Sequence, residues 1–462
     1  MKSSYPLSGK QLVHAVLRHE PVPAIPWVPF AGVHAGKLKG YSAREVLQDE
    51  NKLLESLLEV NRIYQPDGQP VIFDLQVEAE ILGCQLKWDE KSPPSVVTHP
   101  LENLLNLPTH LPQEQEGRLP LILNVMRRMY KEVGQTTALY GLVTGPLTLA
   151  SHLRGTDLFM DVFDRPDFLQ ELLTYCVRVC LRMSEMYIQA GMDVIAIVDP
   201  VVSQISPRHL ESFLLNPYKE IFQSLRSQKV FSSIFVCGDA TKNLDLLCQS
   251  GPDCLAVDEN IDMQAALAVV DKYQITLQGN IPLTSCMLLG SQQDNMKFVI
   301  DLMDAVRKDA ELIPQNLIIS PGCDMPYDVP PENVIGIMQA IREPQTVRQM
   351  LANYHSRTID LDSISLPDYD HLERPLVEVF TLDSSTCAAC GYMLMAAQRA
   401  ARDLTGKMDM VEYKATTAEN IARMTRMGVK NLPAILINGE LKFSSLIPGN
   451  DELVEAIRKK MR

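Results

Sequence analysis

Short apolar or β-branched runs alternate along this chain with longer stretches whose apolar residues recur at helical spacing. Eight such runs can be followed: Trp27–Phe30, Val71–Leu75, Ala138–Val143, Val194–Val198, Ser233–Val236, Cys254–Val257, Ile275–Gln278 and Leu317–Ser320. Strands separated by helices imply right-handed crossovers and a parallel sheet. Eight of them predict an α/β fold closed into a (β/α)8 TIM-type barrel. The intervening segments carry helix signals. Ser42-Ala-Arg-Glu45 is a capping box. Asp167–Ala190 is long and periodic. Pro207 and the pair Pro330-Pro331 stand where a helix opens.

The character changes near residue 346. Residues 356–370 read as polar linker, which divides the chain into a barrel over 1–345, a linker over 346–374 and a small domain over 375–462. In that domain Leu376–Thr381 is a strand, Cys387–Leu404 a helix and Met408–Tyr413 a second strand. Thr416–Glu419 is a capping box. Ala434–Ile437 and Leu441–Phe443 flank Asn438-Gly439, a strong hairpin signal, and Asp451–Lys460 closes the chain as a helix. The order βαβαββα, with Cys387-Ala-Ala-Cys390 at a strand-to-helix junction and Leu432-Pro433 before the third strand, resembles the thioredoxin and glutaredoxin family. The resemblance implies a redox pair, Cys387 and Cys390, beside a cis-proline at Pro433. A helix N-terminus there would depress the first thiol's pKa. Half of a zinc site is the alternative, but no second cysteine pair lies nearby.

Composition narrows the function classes. With 462 residues, two domains are expected. A net charge of −14 argues against nucleic acid or an anionic membrane as partner, because both need a basic face. Neither a signal-peptide stretch nor a run of about 18 apolar residues occurs, so a cytoplasmic enzyme without a membrane span is expected. Ten cysteines in so long a chain do not make a disulfide scaffold. Cys84, Cys176, Cys180, Cys248 and Cys286 read as buried thiols in a reducing compartment.

Active sites of such barrels lie at the carboxyl ends of the strands. There the chain places Val77-Glu78-Ala79-Glu80, Thr144-Gly145-Pro146, Asp199-Pro200, Cys237-Gly238-Asp239, Asp258-Glu259, Gly279-Asn280 and Pro321-Gly322-Cys323-Asp324. Asp199 and Asn280 are the catalytic candidates. A carboxylate after a strand is also a common helix N-cap, and Asp239 before Ala240-Thr241 fits that equally well. Cys237 and Cys323 have three readings: inert thiols, a reversible disulfide, or two thiolate ligands of zinc. A catalytic zinc needs a third protein ligand and an open position.

Residues 10–345 resemble the uroporphyrinogen decarboxylase superfamily, and within it the corrinoid-dependent methyltransferases. The resembling stretches are Gly141–Thr148, Val194–Pro200, Cys237-Gly238-Asp239, Ala256–Glu259, Gly279-Asn280 and Ser320–Cys323. The resemblance implies methyl transfer between a cobalamin and a small molecule, with Cys237 and Cys323 holding zinc. The histidine of the family's His-X-Cys is Phe235 here, and no histidine lies between His209 and His355. A third ligand would have to come from Glu78 or Glu80, with His34 and His152 as the imidazole candidates. No corrinoid-binding segment is visible, so the corrinoid is expected on a separate protein or free. A decarboxylase of the same barrel is the alternative. Its carboxylate-rich substrate calls for arginines, and Pro29–Lys39 contains none. A non-catalytic redox-sensing or scaffold protein is the further alternative.

Overall fold

The computed structural model describes residues 7–307, 315–355, 364–382, 384, 388–429 and 431–461. The chain divides into two compact units, one of Met1–Val202 with Ser206–Tyr354, the other mainly of His355–Arg462.

In the larger unit seven strands pair in chain order and all in parallel: β1 (Gly68–Pro70), β2 (Ala138–Thr144), β3 (Val194–Val198), β4 (Phe231–Val236), β5 (Cys254–Val257), β6 (Thr276–Ile281) and β7 (Leu317–Pro321). The eighth stave is the run at Trp27. Val28 donates to the Ile319 carbonyl at 3.0 Å, and Ile319 donates to that of Pro26 at 2.9 Å. On its other side the Trp27 carbonyl accepts from Asp67 at 2.9 Å and Gly68 at 3.3 Å. The ring therefore closes through a single parallel bridge, Trp27 to Ile319. Pro26 and Pro29 explain why it is no longer, since neither has an N–H for a ladder.

The second strand begins earlier than its apolar run suggests. The ladder covers Gly68–Pro70, and Val71 adds one bond to the Tyr140 carbonyl at 3.1 Å. Gly68 has no room for a side chain, because a Cβ there would lie 2.7 Å from the Tyr140 ring. The rest of the Val71–Leu75 run turns inward, with Phe73 packed into the barrel core. Ser42 caps its helix with both bonds of the box to Glu45, and Pro207 and Pro331 each stand in the first turn of a helix. Helix Pro344–Met350, in the stretch read as the start of the linker, is tied by Arg348 to Asp304 through two short hydrogen bonds.

The smaller unit is a four-stranded sheet of β8 (Leu376–Thr381), β9 (Asp409–Lys414), β10 (Ala434–Ile437) and β11 (Glu440–Ser444), in the order β9-β8-β10-β11. β8 runs parallel to β9 and antiparallel to β10. Val377, Val379, Ile435 and Ile437 face helices Ala388–Asp403 and Asn450–Arg458. Phe380, Ala434 and Leu436 face the other way, against Met424 of helix Ala418–Arg426. Asn438 and Gly439 make the hairpin with positive φ at both, and the Leu432–Pro433 peptide is cis. The cap of the helix after β9 is Thr417, which accepts from Asn420, so the box expected at Thr416–Glu419 starts one residue late and does not close.

Candidate functional site

Cys237 follows β4 and Cys323 follows β7, with β5 and β6 lying between those strands in the sheet. The two side chains meet across the mouth, Sγ to Sγ at 2.7 Å. That is longer than the roughly 2.04 Å of a disulfide. Both residues are half-buried and rest on the barrel's apolar core. Phe235, Phe30 and Phe73 form part of that core. Phe235 stacks on Phe30 with centroids 5.0 Å apart, and Phe73 meets both rings edge-on. The position where the resemblance expects a metal-binding imidazole is thus filled by a phenyl ring locked between two others.

The side chains expected to complete a zinc site with the two cysteines are engaged elsewhere. Glu78 is buried, and both its oxygens are engaged by Thr144, one by the amide at 3.0 Å and one by the hydroxyl at 2.7 Å. Glu80 pairs with Arg118 at 2.7 Å. Buried His34 contacts the Tyr327 carbonyl at 3.0 Å and the Tyr64 hydroxyl at 2.7 Å. Desolvation lowers its pKa to about 4, and does the same for His152. Among the described residues no group of three His, Cys, Asp or Glu side chains is placed to hold a metal. Two thiolates on a tetrahedral zinc would also stand about 3.7 Å apart, given bonds of about 2.3 Å. Glu78, expected as third ligand to Cys237 and Cys323, has both its oxygens on Thr144.

Asp199 and Asn280 are engaged by the fold. Asp199 is buried and accepts four hydrogen bonds: from the Leu147 amide (3.0 Å), the Thr148 amide (2.8 Å), the Thr148 hydroxyl (2.6 Å) and the Tyr218 hydroxyl (2.6 Å). It anchors helix Pro146–Arg154 to the end of β3. Gly145 is obligatory beside it, because a Cβ there would come within 2.3 Å of the Asp199 side chain. Asn280 donates to the carbonyls of Asp258 (3.0 Å) and Ile261 (2.7 Å), holding the loop after β5. Asp239 accepts from the Thr241 amide at 3.0 Å, the turn-forming role.

The electrostatics of the rim come from residues whose roles the sequence leaves open. Asp258 accepts from the backbone of Gly238, next to Cys237, and burial raises its pKa. Burial, reinforced by the charge of Asp258, pushes Glu259 up to about 8. Burial also holds Asp324 well above the carboxylate range, and its Oδ1 meets no hydrogen-bond partner among the described residues. The hydrogen bond with Cys237 pulls the Cys323 thiol down, but burial and the charges of Asp258 and Asp324 outweigh it, and the net direction is up. Arg118 is neutralised by Asp74 at 2.6 Å and by Glu80. Elsewhere, Cys84, Cys248 and Cys286 are buried thiols pushed up to about 12 by desolvation. A cleft of 450 Å³ lined by His19, Lys219, Arg226 and Tyr273 opens at the amino-terminal end of the strands, the end that serves stability in this architecture. In the smaller unit Cys390 is buried, with the Leu382 amide 3.3 Å from its sulfur. Cys387 lies outside the described residues.

A parallel barrel with thiols and carboxylates gathered at the carboxyl ends of its strands defines a (β/α)8 enzyme architecture. The chain belongs to the uroporphyrinogen decarboxylase (URO-D) family, which matches residues 8–344, and residues 376–458 match a thioredoxin domain. Among curated relatives, the methylcobamide:CoM methyltransferase MtbA of Methanosarcina acetivorans is 26% identical, covering 70% of this chain and 95% of its own. Its counterpart in Methanosarcina mazei is 27% identical, covering 62% and 86%. The uroporphyrinogen decarboxylase of Nostoc punctiforme is 26% identical, covering 64% and 84%. A solved methyltransferase from Methanosarcina mazei superposes with a TM-score of 0.65 over 73% of this chain and 99% of its own, at 22% identity, which speaks for the fold. Among the described residues no helix is long and apolar enough to cross a membrane.

Proposed function

We propose that this chain is a cytoplasmic methyltransferase that moves a methyl group between a corrinoid, carried by a separate protein or free, and a small-molecule donor or acceptor. The reaction is assigned to the mouth of the barrel (residues 1–345), with residues 346–374 as linker and 375–462 as an attached thiol-chemistry domain in which Cys387, Cys390 and Pro433 form the redox site. The observation that carries this reading is the Cys237–Cys323 pair at the carboxyl ends of the strands, in a family whose matched relatives include methylcobamide:CoM methyltransferases.

The corrinoid is a substrate here and supplies or takes the methyl group at cobalt. The chain's residues do the remainder. Phe30, Phe73 and Phe235 form an apolar floor that excludes water beneath the sulfurs. Glu259, raised to about 8, keeps a proton available at neutral pH for a group gaining one. Asp258 fixes the Cys237–Gly238 turn.

Decarboxylation of a polycarboxylate is the less favoured reading. Residues 29–39 contain no arginine, and Arg118 is consumed by two carboxylates. The test is methyl transfer from free methylcobalamin to a panel of thiols and folates, with metal content quantified on the same sample. Wild type is expected to demethylate methylcobalamin, and Cys237→Ser to lose at least tenfold. Equal rates for the two proteins, or turnover of a porphyrinogen, would overturn the assignment.

A further inference from the structure

The two rim cysteines stand 2.7 Å apart, closer than the roughly 3.7 Å of two thiolates on a tetrahedral zinc. We infer that Cys237 and Cys323 are a redox-modification site: a dithiol that closes to an intramolecular disulfide on reaction with a low-molecular-weight disulfide. Three observations point this way. The sulfurs stand 2.7 Å apart, well inside the contact distance of two non-bonded sulfurs, and need to approach by only about 0.7 Å more to bond. Zinc would require them to separate by about 1 Å. No imidazole or carboxylate joins them to make a metal site among the described residues, and Phe235 occupies the obvious position for one. Both residues are half-buried at the carboxyl ends of their strands, unlike Cys84, Cys176, Cys180, Cys248, Cys254 and Cys286, which are buried.

The surroundings hold the pair in register. Asp258 accepts from the Gly238 backbone on one side. On the other, Gly322 packs so tightly that a Cβ would lie 2.7 Å from the Glu259 nitrogen.

The chemistry balances in two exchanges. The sulfur of one cysteine attacks a disulfide R–S–S–R, breaking its S–S bond, forming a mixed disulfide and releasing one RSH. The second cysteine sulfur attacks the mixed disulfide, forming Cys237–S–S–Cys323 and releasing the second RSH. The cysteine pair loses two electrons and two protons, and R–S–S–R gains both. A dithiol reverses the reaction. The inference does not depend on methyl transfer, and a redox-sensing protein would carry it equally.

The experiment uses the full chain, reduced, freed of reductant and treated with a few equivalents of 4,4′-dithiodipyridine, enough to oxidise the Cys387–Cys390 dithiol as well. Peptides are then mapped by mass spectrometry without reduction, and metal is quantified on the same preparation. The expected result is a cross-linked peptide pair containing Cys237 and Cys323, two hydrogens lighter than the free thiols and lost on adding dithiothreitol. In Cys237→Ser, Cys323 is expected to retain a pyridyl mixed disulfide. Separate adducts on both cysteines of the wild type, or both left as thiols while buried cysteines react, would overturn the inference. So would about one zinc per chain that must be chelated before any cross-link forms. Should Cys237→Ser fail to fold, the wild-type map alone decides. Methylcobalamin turnover on the reduced protein is read separately, so failure of the methyl-transfer reading remains distinguishable.

Discussion

Asp199 and Thr148 are joined by two hydrogen bonds, one from the threonine amide at 2.8 Å and one from its hydroxyl at 2.6 Å. Together with Leu147 and Tyr218 they surround a buried carboxylate with four donors. Removing it leaves those donors buried without an acceptor. Asp199→Ala is expected to lose about 3–5 kcal/mol of stability, as when one side of a buried charged network is removed. Denaturant unfolding measures this directly. A variant of unchanged midpoint whose turnover has vanished would make Asp199 chemical rather than architectural.

Phe235 suggests a gain-of-binding experiment. Phe235→His would place an imidazole in the aromatic floor, two residues before Cys237. The variant is expected to bind about one zinc per chain tightly, where the wild type binds weakly or substoichiometrically. Loss of the Phe30 stack should cost about 1 kcal/mol beyond any metal-linked gain. Metal titration with a chromogenic chelator reads the first effect and apo-protein unfolding the second.

Glu259 gives a pH signature. Its folded pKa of about 8 lies above the ordinary 4.5, so the folded state holds a proton that the unfolded state has released between those values. Stability should therefore fall as pH rises from about 4.5 towards 8, by up to about 1.4 kcal/mol per pH unit, and level off above it. Glu259→Gln keeps an acceptor for the Leu283 amide and should flatten that slope. Unfolding midpoints of both proteins from pH 5 to 9 check the sign. A wild type that gains stability over that range relative to the variant would contradict it.

Gly145 offers a steric test of the same rim. Gly145→Ala places a Cβ 2.3 Å from Asp199, closer than real contacts allow. The loss should be about 2–3 kcal/mol, in keeping with overpacking of a close-packed site. In an Asp199→Gly background the further cost should shrink, because the Cβ that the new methyl meets at 2.3 Å is gone. A double-mutant cycle measures that coupling.

The barrel was legible because its strands are apolar runs between amphipathic helices, a pattern that survives without knowledge of partners. The two departures have local causes. The ladder at Gly68–Pro70 contains no large apolar residue, and the apolar run behind it serves the Phe30–Phe73–Phe235 core instead of a strand. At Trp27 prolines truncate the pairing. The rim was legible as a list of residues but not as chemistry. Asp199 follows a strand, Asn280 sits near the end of one and Glu78 lies in the helix after one, and an acid or amide there reads the same whether it faces substrate or a backbone group. Only the partners, Thr148, the Asp258 carbonyl and Thr144, separate the cases. The cysteine pair is the converse: 86 positions apart in sequence, the two thiols meet only because the sheet curls.

The single-bridge closure at Trp27 has a consequence for solubility. A barrel has no free edge while closed, but any transient opening exposes one, and exposed strand edges recruit other chains. The ring is most weakly held beside Trp27, where Pro26 and Pro29 remove two amides and the adjoining β1 is only three residues long. An opening there presents a poor template for intermolecular pairing. The seam that yields first is therefore also the one least able to nucleate aggregation.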